Sequence, residues 1–171
     1  MRTAFRRYVA ENPEIHFSAG LSMTKPGLPI RQLAALAEDA LDTAKQQPGK
    51  NAVTCFDLGV PWDKFERLMQ RATGLERVAQ DHALSTSYLY SLLRYTELAS
   101  QEQQNPQNAL WHSQFAYSTR RLAERRYKDR ADEAKRRAMQ QTLATEIYAG
   151  IQQHRASYQI ALFTYLYQQR D

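Results

Sequence analysis

The sequence predicts an α+β fold, with a small strand–helix–strand unit followed by a bundle of helices. Residues 14–23 alternate apolar with small or polar side chains, which is the period of a strand. Residues 30–47 carry apolar side chains at helical spacing, and a second short strand follows at 52–56. From residue 61 onward the apolar pattern is helical. We therefore predict two domains, at residues 1–60 and 61–171.

The first predicted strand has one apolar face and one face of small or polar residues. The small residues on the second face are Ser18, Gly20 and Ser22. Such residues leave room for a ligand or for another backbone to approach closely. A half-buried strand with one solvated face is the alternative interpretation.

The helix that follows is predicted to run from about Ile30 to Gln47 and to end at Pro48-Gly49, a pair that breaks helices. A helix of this length between two strands is a crossover connection. The two strands should therefore be neighbours in one sheet without forming a hairpin. Lys45 falls in the last helical turn, where a cation is favourable even without a ligand.

The second domain should hold four or five helices in roughly 110 residues, the size of a small bundle. Ser85-Thr86-Ser87 offers an N-cap, and Asn105-Pro106 breaks the helix that follows it. Whether Gly150 separates the last two helices is left open by the pattern. Tyrosines and tryptophans occur at helical spacing with leucines, which favours core or interface positions over stacking platforms for bases.

The net charge of +5 is concentrated between residues 120 and 137. Nine basic side chains face four acidic ones there, which suggests a phosphate-binding surface. The alternative is a solvated, salt-bridged helix face, because Glu124 and Lys128 have i,i+4 spacing. The basic residues are Arg120, Arg121, Arg125, Arg126, Lys128, Arg130, Lys135, Arg136 and Arg137.

Composition narrows the class of protein. Cys55 is the single cysteine, so an internal disulfide is impossible and a reducing compartment is expected. We interpret Cys55 as a small buried hydrophobe. The four histidines lack ligand spacing, so no zinc site or catalytic triad is assigned. No apolar run approaches the ~20 residues of a membrane span, and no signal peptide is recognisable, so we expect a cytoplasmic protein.

Several segments resemble a known family. Ser18-Ala19-Gly20, residues 40–45 and residues 49–53 resemble the second half of nucleotidyl-cyclase-like palm domains. Residues 17–21, 25–26, 29–30 and 50–54, with Trp62, resemble more narrowly the large palm-containing subunit of type III-A (Csm-type) CRISPR effector complexes. In that family an all-helical domain follows the second palm domain and ends in a helix rich in Tyr and Leu, to which residues 160–167 are similar. The resemblance implies an incomplete palm half-sheet at 1–60 and a C-terminal helical domain at 61–171.

The departures from the family pattern are as informative. The family's metal-binding motif, Gly-Gly-Asp-Asp, precedes the segment seen here, and this chain has no Gly-Gly or Asp-Asp dipeptide. The His-Asp nuclease domain is also missing. The complete subunit is a cyclic oligoadenylate synthase and single-stranded DNase that uses ATP with a divalent metal. The resemblance therefore implies a C-terminal part that neither catalyses a reaction nor binds a cofactor by itself.

The resemblance also implies site residues and partners. Ser18, Ala19 and Gly20 would border the nucleotide, and Lys45 and Lys50 would neutralise phosphate oxygens, although Pro48 lengthens the gap before Lys50. The expected partners are the missing N-terminal half, other Csm-type subunits, CRISPR RNA and target RNA. The residues expected to contact RNA or a subunit are Arg120, Arg121, Arg125, Arg126, Lys128, Arg130, Arg136 and Arg137.

Two other functions stay open at this point. One is a non-catalytic helical RNA-binding or scaffolding subunit, in which the palm-like segment is a docking element. The other is a remnant of a cyclic-dinucleotide cyclase, against which the long helical region after Phe56 argues.

Overall fold

The computed structural model describes residues 2–169, which form two compact units that divide between Phe65 and Glu66. The first unit contains a small sheet, and the second is helical. The predicted α+β class is confirmed. The first unit consists of α1 (Arg2–Tyr8), β1 (Ala19–Leu21), α2 (Ile30–Lys45), β2 (Ala52–Cys55), β3 (Leu58–Pro61) and the first turn of α3 (Trp62–His82).

The sheet has the order β1-β2-β3. β1 lies parallel to β2, with Ala19 opposite Val53 and Leu21 opposite Cys55. Because α2 makes the crossover between these strands, the predicted neighbouring strands without a hairpin are confirmed. The central strand, β2, is buried along its whole length.

β1 is shorter than the strand predicted at 14–23. Its partner β2 has only four residues, so the ladder cannot extend further back along the chain. Just before β1, the carbonyl of Phe17 accepts a hydrogen bond from the Trp62 indole at 2.9 Å. A side chain therefore takes the place of a strand neighbour at that position.

β3 was not predicted. A two-residue turn, Phe56-Asp57, joins it to β2 as an antiparallel hairpin, with φ of 52° and 61°. Positive φ at both central residues is typical of a type I′ turn, which usually contains Asn or Gly. Because Phe-Asp lacks that signal, periodicity alone could not reveal the hairpin.

The second unit contains residues 66–82 of α3 and five further α-helices. Ser85 is the N-cap of α4, as predicted, and its hydroxyl accepts a hydrogen bond from the Tyr88 amide at 3.3 Å. The large side chains that are fully buried in the core include Leu92, Trp111, Leu143, Tyr158 and Leu162. The further helices are α4 (Thr86–Gln101), α5 (Leu110–Arg126), α6 (Glu133–Leu143), α7 (Ala149–His154) and α8 (Tyr158–Gln168).

A five-residue π-helical segment, Ala144–Tyr148, joins α6 to α7. Gly150 lies inside α7 and does not separate helices. A Cβ atom on Gly150 would lie 3.0 Å from Cζ of Tyr158, so glycine there allows the buried tyrosine ring to pack. The break before α8 occurs instead at Arg155, whose φ is 51°.

Candidate functional site

Gly20 lies directly against the backbone of α2. A Cβ atom at this position would lie 2.7 Å from the carbonyl carbon of Ala40 and 2.8 Å from the carbonyl oxygen of Ala37. Neither backbone atom can move without displacing the helix. Close approach of another backbone therefore explains the small residue in β1, which is one of the interpretations that the sequence allowed.

Ser18 and Lys50 meet at the end of the sheet where the two parallel strands begin. The Ser18 hydroxyl donates a hydrogen bond of 2.6 Å to the carbonyl of Lys50. Because α2 runs antiparallel to β1 and β2, its last residue, Lys45, lies toward the same end of the sheet. The fold thus places three of the five predicted nucleotide-binding residues at the end of the sheet where the parallel strands begin.

Ala19 and Gly20 lie elsewhere. Gly20 faces α2, and because side chains alternate along a strand, Ala19 shares the opposite face with Leu21. Ser18 precedes the strand, and its hydroxyl is directed to the Lys50 carbonyl. The Ser-Ala-Gly sequence therefore does not present a single surface. A ligand at this end of the sheet would reach Ser18 without touching the α-carbon of Gly20, which α2 covers.

The two lysines differ in their surroundings. Lys45 Nζ forms an ion pair with Asp42 Oδ1 at 3.1 Å, and both side chains are about half exposed. Lys50 is exposed, has a φ of 50°, and has no side-chain partner among residues 2–169. Lys45 therefore has a structural role at the end of α2 without a ligand, whereas the exposed ammonium group of Lys50 remains available to one.

β1 is an edge strand with exposed apolar side chains. Ile15, Leu21 and Met23 are 47%, 46% and 49% exposed. Leu21 ends β1, whereas Ile15 and Met23 lie outside it, and all three belong to the alternating apolar series of residues 14–23 in the sequence. Within residues 2–169 the outer edge of β1 pairs with no other strand. An unpaired edge beside exposed apolar groups is a typical docking surface for another chain segment.

The basic segment, residues 120–137, spans parts of two helices and the turn between them. α5 ends at Arg126, Tyr127 is extended, and α6 begins only at Glu133. The guanidinium of Arg136 donates to the carbonyls of Tyr127 and Asp129, both at 2.9 Å, and so holds the connecting turn. A groove of about 750 Å³ lies at this turn, and its basic lining residues are Arg120, Lys128, Arg130, Arg136 and Arg137.

Ion pairs neutralise part of the basic segment. Arg120 pairs with Glu124 at 2.8 Å, Lys135 pairs with Asp132 at 2.7 Å, and Arg137 pairs with Glu133. The predicted Glu124–Lys128 pair is absent among the described residues, because Lys128 lies beyond the end of α5. Arg125, Arg126, Lys128 and Arg130 are exposed without a partner in the described chain, and Arg121 stacks over Tyr117 at 5.6 Å.

A polar cluster that the sequence did not reveal connects α4, α5 and the π-helical segment. Glu102 accepts hydrogen bonds from the Trp111 indole and, at its other oxygen, from His112, both at 3.1 Å. Tyr148 Oη lies 2.9 Å from His112 Nδ1. The hydrogen bonds from Trp111 and His112 hold the pKa of the Glu102 carboxyl below its usual value. Residues so far apart in sequence give no local signal.

Cys55 is a structural residue. Cys55 is buried, and burial raises the pKa of its thiol to about 11, which disfavours the nucleophilic thiolate. Across residues 2–169, no group of three or more His, Cys, Asp or Glu side chains is arranged to hold a metal ion. In the same part of the chain, no helix has the length and apolar character needed to cross a membrane.

One family model matches part of the chain. Residues 1–54 match the family model of Cas10/Cmr2, second palm domain. No curated protein and no solved structure matches the chain significantly. The family match covers α1, β1, α2 and most of β2, and it supports a palm segment of the type III CRISPR large subunit for this part of the chain.

Proposed function

We propose that this chain is the C-terminal part of a Csm-type large subunit, acting in cytoplasmic RNA-guided antiviral defence. The observation that carries the proposal is the palm-family match at residues 1–54, which coincides with a β1–α2–β2 crossover. Residues 1–60 would complete a palm domain, and residues 61–171 would be its C-terminal helical domain.

The partner that completes the palm would be the N-terminal half of the large subunit. The unpaired edge of β1 and the exposed Ile15, Leu21 and Met23 favour this partner, because a strand added there would satisfy backbone groups and bury apolar surface. About 25 cal/mol is gained for each Å² of apolar surface removed from water.

The completed palm would bind ATP for cyclic oligoadenylate synthesis. Lys50 and Lys45 would neutralise phosphate oxygens at the end of the sheet where the parallel strands begin. The Ser18 hydroxyl would hold the Lys50 backbone in place. Gly20 would set the position of α2, and thereby of Lys45, and Ala19 would line the opposite face of the strand. Two lysines at one end of the sheet would favour binding of a triphosphate, because ammonium groups form strong charge-assisted hydrogen bonds to phosphate.

The divalent metal of such a site would not be held by this chain. The described residues contain no cluster with suitable ligands, so the residues present do not fit a metal ion by themselves. We assign the metal ligands to the partner's Gly-Gly-Asp-Asp motif. The chain alone would then have no catalytic activity.

The helical domain would contact CRISPR RNA, target RNA or another Csm-type subunit through the basic segment. The exposed arginines of this turn favour phosphate contacts, which do not depend on base sequence. The same feature favours the second candidate function, a non-catalytic RNA-binding or scaffolding subunit. The two differ in whether β1 must dock onto a palm partner.

Co-purification tests the proposal. The full chain is mixed with a polypeptide that carries the first palm half and its Gly-Gly-Asp-Asp motif. The pair should co-elute, and the double variant Leu21→Asp/Met23→Asp should prevent it by placing charges at the end of β1 and just beyond it. Thr24→Asp, an exposed position outside the alternating apolar series, is the matched control and should bind normally. Unchanged binding of the double variant, or none by the unaltered chain, would refute the palm partnership.

A further inference from the structure

A cavity of about 440 Å³ lies within the helical unit, between α3 and the segment formed by the π-helix and α7. Its volume falls in the range of small-molecule sites, about 300–1,000 Å³. Its walls carry charged side chains of both signs. The principal lining residues are Arg67, Arg71, Gly74, Arg77, Glu146 and Gln153.

The wall on α3 is a stripe of three arginines around a glycine. Arg67, Arg71, Gly74 and Arg77 follow each other at intervals of three or four residues, so they lie on one helical face. A Cβ atom at Gly74 would lie 3.1 Å from Glu146 Oε2. The absence of a side chain at Gly74 therefore opens the middle of the stripe.

Among the described residues, the opposite wall supplies one carboxylate, that of Glu146. Arg71 Nη1 lies 3.9 Å from Glu146 Oε2, and Arg71 Nη2 donates to Gln153 Oε1 at 3.4 Å, so both contacts are long. Arg67 and Arg77 are exposed and have no ion-pair or hydrogen-bond partner in the described chain. Three guanidinium groups against one carboxylate leave an excess of two positive charges.

We propose that this cavity binds the phosphate or pyrophosphate group of a small molecule. The excess of two positive charges matches a dianion, and guanidinium groups bind phosphate through paired N–H donors. The volume accommodates a compact ligand of about mononucleotide size. Glu146 belongs to a π-helical segment, a feature found frequently at functional sites. This site is separate from the proposed palm site, so either can fail without the other.

Titration calorimetry of the full chain with inorganic pyrophosphate tests the site. Arg67→Gln/Arg77→Gln should weaken binding about tenfold or more, because two charge-assisted contacts are lost. Glu146→Gln should strengthen binding, since it removes the one negative charge from the cavity. Arg7→Gln/Arg31→Gln is the matched control, because it removes the same charge from exposed residues that do not line the cavity. Thermal melts of each variant verify folding.

Absence of pyrophosphate binding by the unaltered chain would overturn the proposal. So would equal losses in the cavity and control variants, or weaker binding in a folded Glu146→Gln protein. Adenosine 5′-diphosphate and a single-stranded RNA of mixed sequence distinguish the sources of the phosphate. Competition by the diphosphate supports a small-molecule site, whereas arginine-dependent binding of the RNA alone overturns it.

Discussion

The hydroxyl of Ser18 donates a hydrogen bond of 2.6 Å to the carbonyl of Lys50, thirty-two residues later in the chain. This bond ties the residue before β1 to the turn before β2. The bond fixes the backbone at the N-terminal end of the two parallel strands. Any ligand of Lys50 would therefore bind to a turn that Ser18 holds in position.

Gly20→Ala should destabilise the first unit by about 1–3 kcal/mol, because the added methyl group would overlap backbone atoms of α2. Gly59→Ala is the control. A Cβ atom there would lie 3.2 Å from Gln47 Nε2, the movable end of a flexible side chain, so the cost should stay below about 1 kcal/mol. Chemical denaturation of both variants measures the difference. Equal stabilities would contradict the packing of β1 against α2.

Lys45→Ala should raise the ATP concentration needed by the assembled palm, with a loss of about 1–3 kcal/mol if the ammonium group contacts a triphosphate. Lys25→Ala, another exposed lysine of the same unit, is the control and should have no effect. The measurement is cyclic oligoadenylate yield at limiting ATP. An unchanged yield would leave Lys45 as a partner of Asp42 at the end of α2.

Replacing Arg125, Arg126 and Arg130 with Gln should weaken RNA binding similarly for unrelated sequences. It should also flatten the salt dependence by ~0.7–0.9 per lost phosphate contact. The control triple variant, Arg120→Gln/Lys135→Gln/Arg137→Gln, removes the same charge from residues already paired with carboxylates, so its effect should be smaller.

Binding isotherms at several salt concentrations, together with an assembly assay, separate the possible partners of the basic segment. Failure of the first triple variant to assemble without RNA would indicate an acidic protein partner. Unaltered RNA affinity and unaltered assembly would mean a solvated surface only.

The Glu102 cluster should make stability depend on pH. The pKa of Glu102 is lowered in the folded state, so its contribution is complete above the ordinary value of 4.5 and is lost as the pH falls through the lower folded pKa. Glu102→Gln should lower the thermal midpoint at pH 7 by about 2–4 °C. The difference from the unaltered protein should shrink as the pH falls below 4.5. A difference independent of pH would contradict the ionised interaction.

Much of the palm segment followed from sequence because its signals are local. The alternation in β1, the apolar face of α2 and the Pro48-Gly49 break were sufficient to predict a crossover between neighbouring strands. The β2–β3 hairpin was not predicted, because Phe56-Asp57 adopts a turn that these residue types do not usually form. The nucleotide roles of Ser18, Ala19, Gly20, Lys45 and Lys50 stay predictions.

Tertiary contacts explain what the sequence could not provide in the helical unit. The end of α5 at Arg126 determines that Glu124 pairs with Arg120 and not with Lys128. The arginine cavity likewise depends on Glu146 reaching α3 from more than seventy residues away. Spacing along one helix reveals a stripe of charges but not what faces it.

The central claim is that residues 1–60 complete a catalytic palm. The most direct measurement is cyclic oligoadenylate synthesis from ATP and a divalent metal, with target RNA and the remaining subunits, in the presence and absence of this chain. We predict synthesis only when the chain and the polypeptide bearing Gly-Gly-Asp-Asp are both present, and its loss with Leu21→Asp/Met23→Asp. Equal synthesis without the chain would contradict the claim.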